Sequence, residues 1–302
     1  MILSRQNILQ SLQFVICCTM LVVCLPACSS DDDSPLPGIE EDSEGRALRQ
    51  FTISNASLTR ATIDDATLTA EWATGDIATY VNLSELPGDE VHSGNLTAAS
   101  SGQTTLLEGK VYCREADHLA VIYPSVSLTD HGSYCSYPIK LSGQKGTLAD
   151  VGQRFHYVFG MAEVTKVENE KAMGTASSMT SLLALCKFTF SDGTSPIAVK
   201  ELKISYGLYG TVGYPQSGTV ELDTNSSAGN VAVVATTSYS EPLTISLDAT
   251  TTEGGYVALF PVAQSLNFHF TVKDGSGNTY TGTATAKLSA GRYYDSSLKL
   301  AK

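Results

Sequence analysis

Basic residues are scarce in this chain. Its 302 residues carry 19 Lys and Arg against 31 Asp and Glu, a formal net charge of −12. A protein that grips a nucleic acid displaces counterions with clustered Lys and Arg, so this balance excludes that class of partner. Long apolar runs are scarcer still. The only one, residues 14–25 (FVICCTMLVVCL), is well short of the roughly 20 residues needed to span a bilayer, which excludes a polytopic membrane protein. Catalytic signatures are missing as well. His92, His118, His131, His156 and His269 are scattered, and no H-E-x-x-H, G-x-S-x-G or P-loop occurs. Ser142-Gly143-Gln144-Lys145 fits S-x-x-K, but its partner motifs are absent. The acid pairs Asp64-Asp65 and Asp89-Glu90 read as solvated charge in turns. The expectation is a non-enzyme that needs no cofactor and no metal. Apolar residues nonetheless make up 42% of the chain, enough to build a core.

The apolar run follows Arg5 and ends in Leu25-Pro26-Ala27-Cys28. Run length and flanking charge suit a signal-peptide core, and the last four residues look like a bacterial lipobox. That likeness implies acylation of Cys28 and a mature chain beginning there; the alternative is an ordinary secretory signal with an incidental Cys. Several acyl chains together give stable anchoring. Ser29-Ser30-Asp31-Asp32-Asp33 resembles the acidic export signal of Bacteroides-type lipoproteins, which implies the outer face of the outer membrane. Residues 28–50 also read as an acidic flexible tether containing Pro35 and Pro37.

Beyond the leader, Cys113, Cys135 and Cys186 remain. Three thiols allow one disulfide at most, and no C-x-x-C spacing suits zinc. Cys113 with Cys135 is the expected pair if one forms; three separate buried thiols are the alternative.

The body of the sequence consists of short β-branched and aromatic runs punctuated by Gly, Ser, Asn and Asp, with no long helical period. That texture predicts an all-β protein. Phe51-Thr52-Ile53-Ser54 alternates, as do residues 67–72, while residues 119–123 form a continuous apolar run that stops at Pro124. Residues 182–190, 199–206, 232–235 and 297–300 are further strands. In residues 266–272 (LNFHFTV) the even-numbered positions are apolar and the others polar, so the strand is expected to be half buried. Lys273-Asp274-Gly275-Ser276-Gly277-Asn278 then turns it into residues 279–286. Asp274, Ser276 and Asn278 alternate like a calcium loop but lack its later acid, so they read as a turn. Residues 168–181 are read as a helical or irregular connector. With a boundary near residue 178, two domains follow, 51–178 and 179–302. Trp72 is expected in the core. Tyr206, Tyr209 and Tyr214 stand among Gly207, Gly210 and Gly213, and form either an adaptable binding loop or part of a sandwich face.

Taken in order, these segments resemble the fimbrillin-like lipoproteins, the subunits of type V fimbriae. The likeness is carried by Phe51-Thr52-Ile53 with Leu58-Thr59-Arg60-Ala61-Thr62, and by Trp72-x-x-Gly75-Asp76-Ile77. Ala120-Val121-Ile122-Tyr123-Pro124, residues 254–261 (GGYVALFP), Tyr280-Thr281-Gly282 and residues 290–294 (AGRYY) complete it. Two stretches depart from the family pattern: Cys186 lies in a strand with no His just before it, and residues 207–215 are rich in Gly and Tyr. The resemblance implies two β-sandwich domains of transthyretin-like, Greek-key topology. It also implies a structural or adhesive fimbrial (pilus) subunit on the cell surface that polymerises by donor-strand exchange. An arginine-specific protease would cut after the first strand, and a neighbour's terminal strand would fill the groove. On that reading Arg60 is the expected cut, ahead of the upstream Arg46 and Arg49, and Leu298 and Leu300 in the last strand are the expected donor side chains. Partners would be other subunits, the protease, the outer membrane through the lipid, and a host or bacterial surface receptor. The rival reading is a non-polymerising surface lipoprotein that binds glycan or another ligand through exposed loops.

Overall fold

Alternation along the chain translates into strands almost throughout. The computed structural model describes residues 39–302 apart from 60–69, 86–90, 208–212 and 237–239. In chain order the strands are β1 (Ala47–Thr59), β2 (Ile77–Asn82), β3 (Ser93–Ala98), β4 (Thr104–Cys113), β5 (His118–Tyr123), β6 (Thr129–Asp130) and β7 (Tyr134–Lys140). After a short helix, α1 (Leu148–Arg154), come β8 (Val158–Glu168), β9 (Lys171–Ala176), β10 (Met179–Ser181), β11 (Ala184–Ser191) and β12 (Val199–Tyr206). The chain finishes with β13 (Ser217–Asp223), β14 (Val231–Ala235), β15 (Leu243–Thr251), β16 (Gly255–Leu259), β17 (Leu266–Asp274), β18 (Thr279–Ala286) and β19 (Tyr293–Lys299). Helix α1 is capped by Thr147, whose side chain accepts the Asp150 N–H, satisfying an amide that the first turn leaves open.

The first sheet runs β10-β1-β4-β3-β2-β5-β8-β9, and it closes on itself because β9 pairs with β1 and β10 with β8. Closure removes the exposed edges that an open sheet must protect. Phe51, Ile53, Leu96, Leu107, Val111, Leu119, Val121 and Val158 fill its interior. The other sheets are β16-β11-β19, β15-β12-β17-β18 and β14-β13-β7-β6. They contribute to a second core that includes Ile139, Phe188, Leu202, Val220, Phe270 and Val272. The all-β expectation is met, with a barrel-like first sheet where a two-layer sandwich was expected. A ring arises because β1 is long enough to pair with β4 along one side and with β9 and then β10 along the other.

The half-buried strand expected at residues 266–272 is β17, with Phe268, Phe270 and Val272 buried, and it turns into β18 as expected. Residues 168–181 are not a helical connector. β8 ends at Glu168, and β9 and β10 follow. Period two prevails there because Ala172 and Gly174 face inward while Lys171 and Met173 face out. The expected boundary near residue 178 falls between β9 and β10. β7, which precedes it, pairs with β13, which follows it.

Candidate functional site

A strand that lies at the middle of a sheet, carries much of a core's apolar surface and comes first among the described strands is the element whose loss would open the most. Here that element is β1. It pairs antiparallel with β4 from Ala47 opposite Cys113 to Ser57 opposite Thr104, and parallel with β9 from Gln50 opposite Lys171 to Ser54 opposite Thr175. Its odd-numbered residues face inward: Ala47, Phe51 and Ile53 are completely buried, while Leu48 is exposed. A bulge between Ile53 and Ala56 restores the inward phase, and Asn55 takes the left-handed conformation there, at φ 59°. Asn tolerates that region better than β-branched residues do. The Phe51 ring needs Gly174 beneath it, since a Cβ on Gly174 would lie 2.6 Å from the ring. Ala56 is also completely buried, and its carbonyl accepts a hydrogen bond from Trp72 Nε1 at 3.0 Å. Trp72 is therefore a core residue, packed edge-on against Tyr123.

The N-terminal end of β1 is held by charge. Arg46 and Asp117 are both buried. Arg46 Nε donates to Asp117 Oδ2 at 2.9 Å and Nη2 donates to Oδ1 at 3.2 Å, a bidentate pair. Nη2 also donates to the Ser84 carbonyl at 2.7 Å. Asn82 Nδ2 and the Arg114 amide complete the shell of the carboxylate. Burial works against the Arg46 charge, but its hydrogen bond and attraction to Asp117 prevail and raise the guanidinium above its ordinary value. Arg49 is buried too and donates to the carbonyls of Cys113 and Asn169 and to Glu41. Just upstream, Asp42 accepts the amides of Glu44 and Arg46 and the Tyr112 hydroxyl, and Arg114 pairs with Glu44. The folded chain therefore shields Arg46 and Arg49 from a protease. Arg60 and Cys28 lie outside the described residues.

At the other terminus, β19 is an edge strand, parallel to β11 from Leu185 opposite Tyr293 to Ser191 opposite Lys299. Leu298 is half-buried and Leu300 buried. The Leu300 amide donates to Ser191, and Ala301 exchanges two hydrogen bonds with Thr281 of β18. Leu298 and Leu300 thus occupy their own sheet. Behind them a cavity of about 90 Å³ is lined by Phe188, Phe270, Ala284, Ala286, Tyr294 and Leu298, among others.

The expected Cys113–Cys135 bridge is not formed. Both residues, and Cys186, are free and buried. Cys113 ends β4 in the closed sheet, whereas Cys135 sits on β7 opposite Leu222. Burial, with Asp117 beside it, pushes the Cys113 thiol up to about 12, and burial with Asp130 nearby pushes Cys135 to about 11. Tyr214 is fully buried, and its hydroxyl accepts the Phe260 amide; Tyr206 packs edge-on against Tyr214 and Phe268. Of the three tyrosines, these two serve packing, and Tyr209 lies outside the described residues. Asp274 spends its oxygens on the amides of Ser276 and Asn278 and on the Asn278 side chain, as a turn does.

The Arg46–Asp117 pair escaped the sequence reading. The two residues are 71 positions apart, and neither belongs to a motif. The only available hint was a basic residue placed immediately before an alternating strand.

No family model matches the chain, and no curated protein does. Solved structures share its fold, among them two from Bacteroides species. A candidate cell adhesion protein from Bacteroides uniformis superimposes with a TM-score of 0.53 at 16% identity, over 86% of this chain and 94% of its own. A second, from Bacteroides ovatus, gives 0.54 at 14% identity, over 84% of this chain and 94% of its own. The likeness is one of fold.

Proposed function

We propose that the chain is a lipid-anchored subunit of an adhesive surface fibre of the fimbrillin-like kind, with a structural and not an enzymatic role. The observation that carries this reading is β1: the first of the described strands, paired on both sides, buried through Phe51, Ile53 and Ala56, and followed at once in the sequence by Arg60. The fold shared with candidate adhesion proteins of Bacteroides supports the adhesive part. The lipobox at Cys28 and the acidic stretch after it support export to the outer membrane's outer face.

In this reading a protease cuts after Arg60 and β1 leaves. Its loss uncovers an apolar trough bordered by the bare edges of β4, β9 and β10, a template for strand addition. Burying side chains equivalent to Phe51 and Ile53 returns about 3–6 kcal/mol, beside the ladder hydrogen bonds. Each copy would offer a trough to one subunit and its terminal strand, containing Leu298 and Leu300, to a different one. Head-to-tail contacts of this sort propagate without closing, as a filament requires. Other subunits and an arginine-specific protease are the partners, and the fibre presents a receptor-binding surface.

N-terminal sequencing of the surface-exposed protein tests this. The expected result is a form starting at Ala61 in fibres. Fibres in which every copy keeps residues 51–60 would overturn the exchange step.

A further inference from the structure

A cut after Arg60 would remove the buried cations at the far end of the trough. Arg46 and Arg49 go with β1, as do Glu41, Asp42 and Glu44. What stays is rich in acceptors. The Asp117 side chain, 2% exposed, keeps Asn82 Nδ2 and the Arg114 amide but loses both guanidinium contacts. The carbonyls of Ser84, Cys113 and Asn169 lose their side-chain donors at the same time. Arg114 remains, with Nε 3.5 Å from Asp117, but its side chain is 40% exposed. It meets the carboxylate from the rim, at a longer distance than Arg46 does.

We infer that the seat of β1 admits only a strand that delivers a cation to Asp117. The partner is an extended segment of another subunit with apolar side chains in the places of Phe51 and Ile53 and an Arg or Lys in the place of Arg46. This rests on the exchange reading above and adds its selectivity. The reason is the asymmetry of buried charge. A vacant trough leaves Asp117 in contact with water, whereas a strand without a cation seals the carboxylate into a low dielectric with too few donors. Wrong strands are therefore rejected by the same group that welcomes the right one. Apolar complementarity alone carries no such discrimination, because many alternating strands would satisfy Phe51 and Ile53.

The test uses the full chain cut with an arginine-specific protease and offered fluorescent peptides spanning residues 42–59. Binding is followed by anisotropy together with displacement of the resident fragment. The native peptide should exchange in. An R46Q peptide should bind at least about tenfold more weakly, and an R46K peptide within about threefold of native. An L48S peptide should match native, because Leu48 is exposed. In a chain carrying Asp117→Asn, the gap between native and R46Q peptides should close. The peptide arms need only the wild-type chain, so a poorly folding D117N variant does not blunt them. Equal binding of native and R46Q peptides overturns the selectivity alone. If the cut chain neither releases its fragment nor takes up the native peptide, the exchange reading fails and this inference falls with it.

Discussion

Asp117 is a buried charge that the intact fold must keep paired. Removing its partner by Arg46→Gln strands a buried carboxylate and should cost about 3–5 kcal/mol in a urea melt. Arg114→Gln, at a side chain 40% exposed that pairs with Glu44 at 2.9 Å and reaches Asp117 only at 3.5 Å, should cost less than Arg46→Gln. The contrast separates a buried charge from a surface pair of similar length. The three thiols make a second case. With Cys113 held near 12 and Cys135 near 11, the reactive thiolate is scarce at neutral pH, and both residues are buried. Maleimide should leave the native chain unlabelled and add three adducts to the denatured form of a chain that starts after Cys28. A reductant should not alter its electrophoretic mobility. The sequence supplied the number of cysteines, but whether two were close enough to bond depended on which sheets received them.

Among the elements, β1 and the last strand both carry side chains of a core. Phe51→Ala empties a site in the closed sheet and should cost about 3–5 kcal/mol. Gly174→Val should be comparably harmful, because its side chain would occupy the space of the Phe51 ring. Leu300→Ala should cost about 2–5 kcal/mol, since Leu300 is buried where β19 meets β18. A cost below about 1 kcal/mol at Leu300 would mean that the last strand contributes little to its own sheet. Strands with clean alternation, such as β17, could be read directly, because period two is a local property. β9 could not. Its Lys, Ala, Met and Gly favour other structures locally, and it became a strand because β1 and β8 offered edges on both sides.

For the whole molecule, the proposed function predicts a processed, membrane-bound polymer. Arg60→Gln should abolish the form beginning at Ala61 and the ladder of bands seen without boiling. Cys28→Ala should end palmitate labelling and leave the chain outside the membrane pellet. Closure of the first sheet is what gives the cut its proposed consequence. In a ring, loss of one strand creates two new edges at once, whereas removal of an edge strand from an open sheet merely exposes the next.

Composition and alternation were enough to establish an all-β protein and to place Trp72 in a core, because each follows from how side chains partition between water and a neighbouring strand. Tertiary structure alone decided that the first sheet closes, that Arg46 meets Asp117, and that the cysteines stay apart. Those outcomes depend on which distant segments become neighbours, and strand pairing across dozens of residues leaves no periodic trace in the chain.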